Sequence, residues 1–149
     1  EFGTLPYEIM AGVSASIDYV SNLDRTSTGS RRQKIVQSMK ALEEYEKELF
    51  KYLEENLKAL PGITMYGKAK NRTPTCYFNF AGINGADLYK FMASLKVNLP
   101  AHNFYALEVS RAIGLGDAGA IRAGLAPYST KDDVDRLVSG IKQFLAKAA

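Results

Sequence analysis

Residues 101–136 read AHNFYALEVSRAIGLGDAGAIRAGLAPYSTKDDVDR, and the fold turns on this stretch. Near its middle Ile121, Ala123 and Leu125 alternate with Arg122, Gly124 and Ala126. A two-residue period sends successive side chains to opposite faces of a sheet, so the apolar set meets a core and Arg122 faces away from it. This predicts a strand over residues 120–126. After it, Thr130 and Asp133 form a capping-box pattern, and Val134, Leu137, Val138, Ile141, Phe144 and Leu145 recur at helical spacing. Before it, residues 105–113 suit a helix that ends in a glycine-rich turn.

Working outward, the same two-residue period occurs at residues 63–67 and 73–81. In the latter, Cys76, Phe78 and Phe80 share one face while Thr75, Tyr77 and Asn79 share the other. Asn84 can cap a short helix whose apolar face is Leu88, Phe91, Met92 and Leu95, and a brief strand is predicted at 96–99, ahead of Pro100. Upstream, a long helix from about 31 to 60 carries the stripe Ile35, Met39, Leu42, Tyr45, Leu49, Tyr52 or Leu53, and Leu57. The polar stretch SNLDRTSTGS at 21–30 is a loop, and before it Leu5, Ile9, Val13, Ile17 and Val20 mark a first helix with Thr4 as its N-cap and Pro6 in its first turn. The expected fold class is therefore α+β: a small, mostly antiparallel sheet of three to four strands with helices packed on one face, preceded by a long helix.

Composition excludes several functions. With 149 residues and 46% hydrophobic content the chain can bury a core without metal or disulfides. A net charge of +3, from 19 basic and 16 acidic residues, implies neither nucleic acid nor a membrane surface as partner. No apolar run reaches the length of a membrane span, and the single cysteine cannot form an internal disulfide, which points to an intracellular, cytoplasmic protein. His102 is the only histidine and Cys76 the only thiol, so no metal site is expected. Cys76 suits a core position better than a nucleophile's, and no serine stands in a nucleophile elbow. Gly114, Gly116 and Gly119 spell G-x-G-x-x-G, but a dinucleotide loop leaves a strand and opens a helix, whereas this one leaves a helix and enters a strand.

Two readings of Arg122 follow from spacing alone. It is a solvated residue on an exposed sheet face, or a guanidinium that a rigid strand presents between small neighbours to a planar carboxylate or phosphate. Likewise His102 is a general acid or base, or simply an exposed loop residue.

Four runs carry a resemblance that bears on that choice: GTLPYE at 3–8, RTPT at 72–75, FYALEV at 104–109 and IRAGLAPYSTKDDVDRLV at 121–138. Together they resemble the carboxyl-terminal third of the cysteine-desulfurase-like proteins in class V of the pyridoxal-phosphate aminotransferases, in order along the whole chain. The resemblance implies that residues 1–30 are a helix and linker from a large cofactor domain, and that residues 31–149 are the small α+β domain that closes over the active site. It assigns Arg122 to the α-carboxylate of an amino-acid substrate. It assigns Gly3 and Thr4 to the cofactor phosphate of the neighbouring subunit in a homodimer, and His102, Asn103, Phe104 and Tyr105 to an active-site loop. The lysine that bears pyridoxal phosphate belongs to the large domain, so no catalytic lysine and no tight cofactor binding are expected of this chain, which alone should be inactive. Desulfurases of one group carry their sulfur-accepting cysteine in that loop; here Phe104 or Tyr105 stands in its place, which puts sulfur transfer in doubt. The competing expectation is a standalone α+β module that binds a small ligand or a protein through the face bearing Arg122, Thr75, Tyr77 and Asn79.

Overall fold

The computed structural model describes residues 3–148, so residues 1, 2 and 149, at the ends of the two expected segments, lie outside the described residues. Two compact units divide the chain, Glu1–Glu46 and Lys47–Ala149. In the first, α1 (Tyr7–Ser21) is followed by a loop and the opening turns of α2 (Arg31–Lys58). Buried Ser38 on α2 donates its hydroxyl to the Ser21 carbonyl at 3.1 Å and accepts the Asp24 amide at 3.1 Å, so one side chain satisfies two loop groups. Asp18 and Arg31 add an ion pair at 2.9 Å. The expected Thr4 cap is not formed. Pro6 holds the N-cap position, where the missing proline N–H costs nothing, and its carbonyl accepts from Ile9 and Met10.

The second unit holds the sheet. Its strands are β1 (Ile63–Tyr66), β2 (Thr75–Phe80), β3 (Ala101–His102) and β4 (Ala120–Gly124), in the order β1-β2-β4-β3 with every pairing antiparallel. Cys76, Phe78 and Phe80 alternate inward from β2 and Ile121 and Ala123 from β4, as the two-residue period requires. Against them pack Leu53 and Leu57 of α2, Leu88 and Met92 of α3 (Gly85–Ser94), and Val134, Val138 and Ile141 of α5 (Lys131–Ala148). Each fully buried side chain of this size stabilises the unit by about 1.5–3 kcal/mol relative to exposure. The helices thus cover one sheet face and leave the other open. On α2 the stripe is buried only from Leu49 onward, where this unit begins, and Met39 and Tyr45 are exposed.

Both expected caps of this unit form. The Asn84 side chain accepts the Ala86 amide at 2.8 Å, and Asp133 accepts the Thr130 amide at 2.9 Å while the Thr130 hydroxyl accepts from Asp133. The strand expected at 96–99 is displaced. Lys96, just past the Leu95 cap of α3, has φ +60°, the Val97 amide returns to the Met92 carbonyl, and contact with β4 starts at Pro100, whose carbonyl accepts from Arg122. The helix expected at 105–113 is shorter, α4 (Leu107–Ala112), because Phe104 and Tyr105 adopt φ +52° and +67° and cannot continue a right-handed turn.

Candidate functional site

The open face is where the chemistry gathers. β4 presents Arg122 outward, directly across from Tyr77 on β2, and the next strand places Tyr66 beside Tyr77. Ala120 and Gly124 flank Arg122 on its own strand, so the guanidinium rises between small neighbours. Among the described residues it makes no ion pair. Its partner is the ring of Phe104, whose centroid lies 4.0 Å from the guanidinium carbon. A ring on the flat face of a guanidinium fixes its plane and leaves the N–H edges free, the geometry a bidentate carboxylate needs.

Phe104 is held there by the loop at 101–105. Its amide donates to His102 Nδ1 at 3.3 Å, and its ring meets Tyr77 and His102 edge-on, at 6.1 and 6.3 Å. Asn103 caps the turn twice, accepting the Tyr105 amide at 3.0 Å and donating to the Asp117 carbonyl at 2.9 Å. Gly119, φ +71°, presses against the His102 carbonyl so closely that a Cβ would stand 2.3 Å from it. The glycine turn is tied in its turn to α4, where Ser110 donates to the Gly116 carbonyl at 2.6 Å and Arg111 grips Asp117 at 2.7 and 3.1 Å. Those hydrogen bonds hold the Asp117 carboxyl below its usual range. The turn leaves a helix and enters a strand, as expected of a non-nucleotide turn.

Tyr77 joins the two strands of the site. Its hydroxyl accepts the Ala120 amide at 2.7 Å and donates to the His102 carbonyl at 3.1 Å, bridging the start of β4 to the end of β3. Alternation placed Tyr77 on this face, but its hydroxyl's partners depend on the β3–β4 register. The roles of Gly119, Asp117 and Ser110 were missed for the same reason: a glycine turn reads alike in sequence whether or not another loop packs on it.

Arg122, His102 and Phe104 are therefore brought together, with Asn103 as the tie beneath them. Tyr105 projects into solvent, and Gly3 and Thr4 are exposed residues of the other unit, Gly3 with φ +112°. Cys76 lies on the opposite, buried face of the sheet, where burial above all, with Glu54 nearby, pushes its thiol up to about 11. Exposed His102 shares the loop with Phe104, whose ring lies over Arg122. No group of three or more His, Cys, Asp and Glu residues among the described residues could hold a metal ion.

The model of the family described as aminotransferase class V matches residues 1–137. The chain belongs to that family. It is 31% identical over 142 residues to an uncharacterized protein of Mycobacterium tuberculosis, spanning 95% of this chain and 35% of that protein. It is 29% identical over 132 residues to a cysteine desulfurase of Pectobacterium carotovorum, spanning 89% of this chain and 28% of the enzyme. Among solved structures, the cysteine desulfurase CsdA of Escherichia coli, in its S-sulfonic acid form, aligns with a TM-score of 0.76 and 25% identity over 98% of this chain and 32% of its own. The class V chain thus spans about a third of the length of the relatives it matches. Like those neighbours it has an α+β fold, and none of its described helices is long and apolar enough to cross a membrane.

Membership implies pyridoxal phosphate in a complete class V enzyme. Arg122 on the open face is able to contact an anion, whereas no described lysine is buried and all but half-buried Lys34 are exposed. A lysine amine needs an enclosed, desolvated setting to act as a nucleophile at neutral pH, and no described lysine has one.

Proposed function

We propose that this class V chain is the small, closing domain of a pyridoxal-phosphate enzyme that acts on an amino acid, and that Arg122 holds the substrate's α-carboxylate. The observation that carries the reading is an arginine without an acidic partner, rising between small residues on the open sheet face with its plane set by Phe104. Pyridoxal phosphate, where bound, supplies an electron sink for bonds broken at the α-carbon. What this chain contributes is position: Arg122 fixes the carboxylate, and the loop at His102, Asn103, Phe104 and Tyr105 walls the site from one side.

On this reading residues 1–30 are a helix and linker belonging with a large cofactor domain, and 31–149 form the small domain. Support comes from α1, whose Ile9, Met10 and Val13 are about half or more exposed, at 60, 49 and 56%. Gly3 and Thr4 would meet the cofactor phosphate of a second subunit in a homodimer. Without the large domain, the chain alone turns over no amino acid. Desulfuration is disfavoured, because the loop offers Phe104 and Tyr105 where a thiol would be needed and Cys76 is sealed beneath the sheet.

The test is Arg122→Ala in the complete enzyme. The expected result is an unchanged cofactor absorbance with amino-acid affinity reduced roughly 30-fold or more, the loss of a charge-assisted bidentate contact. Unchanged affinity refutes the assignment. A second reading, a standalone binding module, is favoured by one observation: residues 47–149 contain a core of their own. Sizing the isolated chain separates the two. Self-association and binding of a hydrophobic dye support the closing domain, and a dye-silent monomer supports the module.

A further inference from the structure

The open face around Arg122 is built of rings, and their arrangement bears on which amino acids the site suits. Arg122 faces Tyr77 across the strands, and Tyr77 faces Tyr66. The rings of Tyr66 and Tyr77 are 5.8 Å apart, those of Tyr77 and Phe104 6.1 Å, and Phe104 ends the row 4.0 Å over the guanidinium. The row is preformed: the Tyr77 hydroxyl is bonded at both ends, and the Phe104 backbone is locked by His102 and by the Asn103 turn. A site that needs no ordering loses little affinity to entropy when a ligand arrives.

We propose that Phe104, Tyr77 and Tyr66 are specificity-determining residues, and that they select amino acids with an aromatic or large apolar side chain over cysteine and over small or acidic ones. The inference rests on Arg122 as the carboxylate holder. With the carboxylate fixed on Arg122, the α-carbon stands within one side chain's length of the row. An aromatic or branched apolar side chain laid on these rings leaves water and gains ring contact. A second carboxylate laid there loses water with Arg122 already engaged. Alanine and cysteine are too short to cover the rings, and the chain places no thiol of its own on this face.

The complete, cofactor-bearing protein is titrated with phenylalanine, leucine, alanine, cysteine and aspartate, with the cofactor's absorbance as the signal. The wild type is compared with Phe104→Ala, Tyr66→Thr and Arg122→Ala. The expected result is that phenylalanine and leucine bind roughly tenfold or more tighter than the other three. Tyr66→Thr should narrow that gap while leaving the affinity for alanine in place, and Phe104→Ala, which also frees the plane of Arg122, should narrow it while weakening all five ligands. Tyr66 lies on the outer strand away from the loop, so Tyr66→Thr keeps the test decisive if Phe104→Ala fails to fold. Equal wild-type affinity for phenylalanine, alanine and cysteine overturns the inference, as does a preference undiminished in the folded variants. Arg122→Ala separates the two levels. If it weakens all five ligands, the carboxylate reading stands whatever the ranking; if it weakens none, that reading falls and the specificity row with it.

Discussion

Replacing Gly119 by alanine probes the joint on which the site depends. Two costs add at this position. Its φ of +71° lies in the left-handed region, which costs an L-residue about 1–2 kcal/mol. The new Cβ would also stand 2.3 Å from the His102 carbonyl and 2.4 Å from the Asn103 nitrogen, backbone atoms that cannot swing aside as a side chain could. Overpacking of this kind costs about 1–3 kcal/mol more, for a total of roughly 2–5 kcal/mol. Gly114→Ala is the matched control, since its φ is +81° but nothing lies within 4 Å of its Cβ. The assay is urea denaturation followed by circular dichroism. With a slope of about 2 kcal/mol/M, Gly119→Ala should lower the midpoint by about 1–2.5 M and Gly114→Ala by less than about 1 M. Equal shifts for the two variants would refute the claim that the loop at 101–105 is seated on Gly119.

Three further outcomes are expected. Burial by itself would raise the Glu54 carboxyl, but hydrogen bonds from Arg72 and Lys58 outweigh it and hold the group below the ordinary 4.5. A depressed native value stabilises the fold above 4.5 and is lost as pH falls from there through the native value, so Arg72→Ala, which costs on the order of 1–2 kcal/mol at neutral pH, should flatten the acid limb of a melting-temperature profile. Cys76, with its thiol near 11, should resist iodoacetamide at pH 8 in the folded chain and react at once in urea, as read by mass spectrometry. Tyr77→Phe leaves the Ala120 amide without its acceptor and should cost about 1–3 kcal/mol, with faster hydrogen exchange at Ala120 and in the loop that follows His102.

The parts of the fold legible in the sequence are those in which the signal and its cause lie in one element. Alternation in β2 separated buried Cys76, Phe78 and Phe80 from Tyr77, and alternation in β4 set Arg122 apart from Ile121 and Ala123. Asn84, Thr130 and Asp133 announced their helices because a cap bonds only to its own first turn. Where the expectation slipped, a partner distant in sequence decided. The residues at 96–99 look like a strand, yet contact with β4 begins at the Pro100 carbonyl and the registered pairs are Ala101 with Ile121 and His102 with Ala120. The expected helix at 105 gives way to two left-handed residues because the loop is tied to Asp117 and pressed on Gly119.

By itself, then, the sequence determined the α+β class, the inward and outward faces of β2 and β4, and, through four runs of residues, the family. Those properties follow from local periodicity and from residue identity. Only the tertiary structure decided that Phe104 stacks on Arg122, that Tyr77 joins β3 to β4, and that the glycine turn serves as the seat of a loop. Each is a contact between residues up to 43 positions apart, fixed by strand register, and no local pattern encodes register across such a distance.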